Sequence, residues 1–140
     1  MKSILIIISI LVASLNAQDI AFVKEVKGSV LAQYEGKSKL VKKADWLSEK
    51  MTVITKDNSG ITMVFTDNSI LVLGSNSILV LQRYLFKPVK EKYDFELKLK
   101  KGTASFESGK IGEVAPDSFI FKTPDATVAI RGTKFLVKVQ

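Results

Sequence analysis

Asn68-Ser69-Ile70-Leu71-Val72-Leu73 recurs eight residues later as Asn76-Ser77-Ile78-Leu79-Val80-Leu81, with only Gly74-Ser75 between the copies. Identical six-residue units at so short a spacing favour strand-turn-strand stacking. A looser third copy opens at Asp57-Asn58-Ser59-Gly60, ten residues before Asp67-Asn68-Ser69. Regular short strands of this kind suit a meander, or a β-solenoid in which each turn lays one strand above the last. Because Ile-Leu-Val-Leu is apolar at every position, the two copies are expected to be covered on both faces at the centre of the fold. Ile70, Val72, Ile78 and Val80 are then core residues.

Outward from the repeat the hydrophobic period stays near two. Ile61, Met63 and Phe65 alternate with Thr62, Val64 and Thr66, and Phe95, Leu97 and Leu99 alternate with Glu96, Lys98 and Lys100, so each run should bury one face. Val128, Ile130, Phe135, Val137 and Val139 continue the habit, with Gly132 marking a bulge or sharp bend. No amphipathic helix stands out. The fold class is all-β: short stacked strands, β-solenoid-like or sandwich-like.

The 140 residues, 46% hydrophobic and 25% charged, fit one domain. The first seventeen read differently. Lys2 is a positive n-region, Ile4 to Val12 is an apolar run broken only by Ser9, and Ser14-Leu15-Asn16-Ala17 is a cleavage zone. Residues 1–17 are therefore expected to be a secretory signal peptide, with 18–140 a single β domain. A cut after Ser14 remains open; a membrane anchor is disfavoured because the run falls short of the roughly 20 residues needed to span a bilayer. The chain has no cysteine, so its stability must come from packing and the sheet ladder.

Without Lys2 the chain carries 20 Lys plus Arg against 14 Asp plus Glu, a net charge of +6. For an exported protein the expected partners are an envelope protein or an anionic envelope polymer, with peripheral membrane contact open, and not nucleic acid. The lysines are spread along the chain, so solubility alone also accounts for them.

The absence of histidine as well as cysteine removes the usual nucleophile pairs, zinc sites and haem or iron-sulfur ligation. No catalytic, cofactor-binding or metal-binding residue is assigned, and no enzyme is expected. Asp57 and Asp67 occupy matching turn positions and could form a carboxylate pair. Asp-Asn-Ser is also what a tight turn prefers, with side-chain oxygens on nearby amides and Asn at positive φ. In Arg83 to Lys101, lysines interleave with Tyr84, Phe86, Tyr93 and Phe95. Tyr93 and Phe95 share the parity of Leu97 and Leu99 and so read as buried, while Pro88 marks a hairpin connection. Lys98 and Lys100, on the opposite parity, are candidate surface contacts.

The segment Phe119 to Val137, in the order strand, Thr123-Pro124, short turn, strand, Arg131-Gly132-Thr133-Lys134-Phe135-Leu136-Val137, resembles the C-terminal half of the FecR domain. Upstream, Gly28-Ser29-Val30, Thr52-Val53-Ile54-Thr55, Phe65-Thr66-Asp67-Asn68-Ser69 and Leu99-Lys100-Lys101-Gly102-Thr103-Ala104 are similar to further elements of that family. The likeness runs from about Val23 to Val139. Ala44-Asp45 stands where the family usually has Gly-Asp, and Asn68 replaces the common glycine of its Asp-Gly-Ser turn. Family sensors place this domain in the periplasm, joined through a membrane helix to a cytoplasmic segment that controls a sigma factor. The resemblance thus implies a periplasmic binding or sensing module, here expected as a stand-alone domain without its own transmembrane relay. The alternative is a structural envelope protein that binds peptidoglycan or anionic glycans. Thr123, Pro124, Arg131, Gly132, Thr133 and Phe135 are the motif residues, mostly structural in expectation. Arg131 either clamps an acceptor inside the fold or offers its fork to a partner.

Overall fold

The computed structural model describes residues 18–129 and 134–140. Strands dominate: β1 (Asp19–Lys27), β2 (Val30–Tyr34), β3 (Lys37–Leu40), β4 (Trp46–Ser48), β5 (Thr52–Thr55), β6 (Gly60–Phe65), β7 (Ile70–Leu73), β8 (Ile78–Lys87), β9 (Lys92–Glu107), β10 (Phe119–Lys122), β11 (Thr127–Val128) and β12 (Lys134–Val139). The pairing order is β3-β2-β5-β8-β9-β7-β6-β1-β4, with β10 and β12 also on β9 and β11 beyond β10. Every pairing among the described residues is antiparallel except β10 with β9. The all-β class is as the periodicity predicts.

β9 organises the sheet. Its first part, to Lys101, pairs with β8 and β10, and its last part, from Gly102, pairs with β7 and β12. The strand changes partners at Gly102, whose φ of 96° and close approach to Ser77 exclude any side chain. The sheet curls so that inner faces meet: Phe65 of β6 stacks on Tyr84 of β8 at 5.6 Å, and Phe95 lies 4.8 Å from Phe65 and 5.0 Å from Phe119. Phe106 and Phe119 stack at 4.4 Å. This aromatic cluster fills the interior, each pair adding about 0.5–1.5 kcal/mol beyond its buried area.

The structure corrects the reading of the repeat in two respects. Its copies do not pair with each other: β7 lies between β6 and β9, β8 between β5 and β9. They are central in the pairing order, yet only one face of each is covered. Leu71, Leu73, Leu79 and Leu81 are fully buried, Ile70, Ile78 and Val80 are half-buried, and Val72 is 43% exposed. Core and outer positions alternate as the pleat requires; the outer ones are simply apolar too.

What the repeat encodes most strictly is its Asn-Ser pair. Asn58, Asn68 and Asn76 have φ of 49°, 69° and 52°, a region Asn tolerates better than most residues. Each turns the chain so that the following serine is buried and accepts a backbone hydrogen bond from a distant segment. Ser59 Oγ accepts from Ser29 N at 2.9 Å, Ser69 Oγ from Gly109 N at 2.9 Å and Ser77 Oγ from Thr103 N at 3.0 Å. The three copies thus act as pins holding separate strands in register.

One short helix, α1 (Lys110–Val114), departs from the strand pattern; five residues are too few to show a period. It buries Ile111, whose N–H donates to Asp67 Oδ2 at 3.1 Å. As expected, Pro88 opens the β8–β9 connection, and Phe95, Leu97 and Leu99 are buried while Tyr93 is half-buried. Val128, Phe135, Val137 and Val139 pack half-buried against the core. Ile130, Arg131, Gly132 and Thr133 lie outside the described residues.

Candidate binding face

The pleat sends alternate residues of β4, β1, β6 and β7 outward, and register aligns them in rows. Trp46 lies opposite Phe22, Phe22 opposite Val64, and Val64 opposite Ile70. The next row runs Glu25, Thr62, Val72, Ser105 and Leu136. The first row is apolar throughout, with Trp46 44% exposed and Phe22, Val64 and Ile70 half-buried, whereas the second is mixed, its exposed Val72 and Leu136 separated by Ser105. Apolar patches on monomers mark contact surfaces when contiguous.

Trp46 and Phe22 meet edge to face, with ring centroids 5.3 Å apart and planes at 62°. A bulge in β1 between Val23 and Glu25 places the exposed Lys24 beside them. With Val64, Thr66 and Asn68 they border an open depression of about 560 Å³, within the ~300–1,000 Å³ usual for ligand sites.

The sheet edges offer less. Among the described residues β3, β4, β11 and β12 are flanked on one side only. β3 carries Lys37 and Lys39, β12 carries Lys134 and Lys138, and β4 and β11 are only three and two residues long. Short strands and edge lysines are the usual means of discouraging strand addition.

The residues singled out from sequence fall elsewhere. Thr123 closes the β10–β11 turn: its N–H donates to Ala126 O at 2.9 Å and its Oγ1 accepts from Ala126 N at 3.0 Å, with Pro124 exposed at the next position. Phe135 packs on Phe121 at 5.4 Å and Phe106 at 5.6 Å. Lys98 is half-buried opposite Val80 and Lys122, and Lys100 is exposed. They do not assemble into one site with Thr123 and Phe135; Arg131, Gly132 and Thr133 lie outside the described residues.

The carboxylates separate by role. Asp57 is exposed, whereas Asp67 is buried and accepts from Ser69 N, Ser69 Oγ and Ile111 N at 3.1, 2.8 and 3.1 Å. Tyr84 Oη joins this network, 2.7 Å from Thr66 Oγ1 and accepting from Asp67 N at 3.0 Å. Burial pushes the Tyr84 phenol well above its ordinary pKa, and the neighbouring Asp67 charge adds to the shift. The Ser69 contacts close the β6–β7 turn, and those of Tyr84 and Ile111 tie it to β8 and α1, which is a structural use of Asp67. Among the described residues no cluster of three or more potential metal-ligating side chains occurs.

Sequence reading also missed Glu96. It projects outward by parity, yet it is buried beneath Lys122 Nζ at 2.9 Å, an ion pair without hydrogen-bond alignment, and Arg83 Nη1 at 3.6 Å. Arg83 is held in turn by Asp94 at 3.0 Å. These charges clasp β8, β9 and β10 together. Alternation gives direction but not depth, and Arg83 and Lys122 come beside Glu96 only through strand pairing.

Comparison with known proteins adds a family. The model of the family described as "FecR protein" matches residues 51–140. No curated protein matches. One solved structure, titled "Cell surface anchoring domain", is similar at 31% identity over 44% of this chain and 82% of its own, with a TM-score of 0.43.

Proposed function

This chain belongs to the FecR protein family, and on that footing we infer that it is a non-catalytic binding module of the bacterial cell envelope, exported to the periplasm. It meets an envelope protein or polymer with the outer face of β4, β1, β6 and β7. The observation that carries this reading is the exposed Trp46 row on a sheet whose open edges are short or lysine-bearing. Loops and faces remain for recognition when edges are closed. The composition agrees: the chain has no histidine or cysteine, and Asp67 is committed to backbone and hydroxyl donors.

Site-directed photo-crosslinking in intact cells tests this. A crosslinking side chain at Val72, on the outer face, should capture an envelope component, whereas the same group at Lys37 or Lys39 on β3 should not. Capture from the edge positions alone would overturn the reading.

A further inference from the structure

The depression bordered by Trp46 mixes two kinds of surface. Phe22, Val64 and Trp46 supply apolar area, while Lys24, Thr66 and Asn68 supply polar atoms around it. A pyranose ring needs that combination, since its C–H faces are apolar and its equatorial substituents are polar. A membrane surface would favour an apolar patch without such a border, whereas Lys24, Thr66 and Asn68 ring the apolar floor here.

The polar groups differ in availability. Thr66 Oγ1 is already engaged by Tyr84. Asn68 is exposed, and its backbone N–H closes the turn onto Phe65 O at 2.9 Å. Its side-chain amide makes no hydrogen bond among the described residues. The φ of 69° would suit glycine equally, so the amide is surplus to the turn. Lys24 is exposed and forms no ion pair among the described residues. Phe22, edge to face with Trp46, restrains the indole in place.

We propose that this depression is a carbohydrate subsite, in which Trp46 stacks on an N-acetylated pyranose of an envelope glycan, Lys24 meets a carboxylate on that glycan and Asn68 bonds its acetamido or hydroxyl groups. The assignment rests on the face-binding reading above and names its ligand. A shallow site of this size binds one or two sugars weakly, and a polymer with repeated sugars compensates by multivalency.

The test uses the purified protein and glycan strands released from peptidoglycan, with chitotetraose as a neutral acetamido-sugar probe. Polyglutamate and phosphatidylglycerol vesicles are the other two arms. Calorimetry should show saturable binding of the strands that persists in about 1 M salt, where the screening length is about 3 Å. Trp46→Ala should weaken it at least about tenfold. Asn68→Gly, which keeps the turn, should weaken it by about three- to tenfold. Lys24→Gln should weaken strand binding more than it weakens chitotetraose binding. Urea midpoints equal to the parent's identify variants that remain folded, and Asn68→Gly supplies the test should Trp46→Ala fail that check. Absence of saturable glycan binding, an equal response to polyglutamate, binding of vesicles in place of glycans, or unchanged affinity in Trp46→Ala would overturn the subsite. If Val72 still crosslinks an envelope component while no glycan binds, the subsite alone falls; capture only from the edges removes the wider reading.

Discussion

Ala44 occupies a backbone conformation that its side chain opposes, so replacing it with glycine should stabilise the protein. Its φ is 72°, at the position where the sequence departs from the family's Gly-Asp. The left-handed region costs a non-glycine residue roughly 1–2 kcal/mol. Glycine forfeits about 0.5–1 kcal/mol through the greater freedom of the unfolded chain. Ala44 is exposed, so no packing is lost, and its N–H would still donate to Val23 O at 2.8 Å. The net expectation for Ala44→Gly is a gain of about 0.5–1 kcal/mol. At an m-value of ~2 kcal/mol/M the urea midpoint rises by about 0.3–0.5 M. Ala126 is the control: it is exposed in a turn without positive φ, so Ala126→Gly should lower the midpoint. Equal losses in both variants would refute the argument, because glycine would then act only through the unfolded chain.

Leu79→Ala removes a fully buried side chain and should cost about 2–5 kcal/mol, whereas Ile78→Ala, on the half-buried outer row, should cost clearly less; chemical denaturation of the pair distinguishes the two faces of β8. Asp67→Ala strips acceptors from Ser69 and Ile111 and should cost about 3 kcal/mol or more, with hydrogen exchange accelerating first at Ile111. Tyr84 has its folded pKa raised above the unfolded value, so its contribution is complete below about pH 10 and is lost as pH climbs beyond it. Alkaline unfolding of Tyr84→Phe should therefore be less steep with pH than that of the parent, although the variant starts less stable. Charge reversal at the exposed Lys100 should change stability by less than about 0.5 kcal/mol.

Several features were open to reading from sequence because a local rule suffices for them. Asn58 and Asn68, each in an Asp-Asn-Ser motif, announced their turns, and Ile61, Met63 and Phe65 announced a one-faced strand; both hold. The same logic misplaced Ile70, Val72, Ile78 and Val80. An all-apolar strand carries no phase, and an outer face that shows apolar residues to solvent looks like a second core. Which strands the repeats adjoin depends on the partner exchange along β9, a long-range fact that spacing does not hold.

The candidate site was less legible than the fold. Trp46 begins a three-residue strand, too short for period analysis, and its only sequence-level sign was that it is the single tryptophan of the chain. Its pairing with Phe22, twenty-four residues earlier, appears only once β4 meets β1. The motif residues that did stand out, Thr123, Pro124 and Phe135, serve a turn and the aromatic packing where they are described. A recurring motif in a β domain more readily records backbone requirements than contact chemistry.

Because Trp46 is the sole tryptophan, its quenching by acrylamide reports directly on whether the outer face is covered. With a saturating envelope fraction that the protein demonstrably binds, quenching of Trp46 should fall sharply relative to the free protein. Bound protein whose Trp46 stays as quenchable as before would contradict recognition through that face.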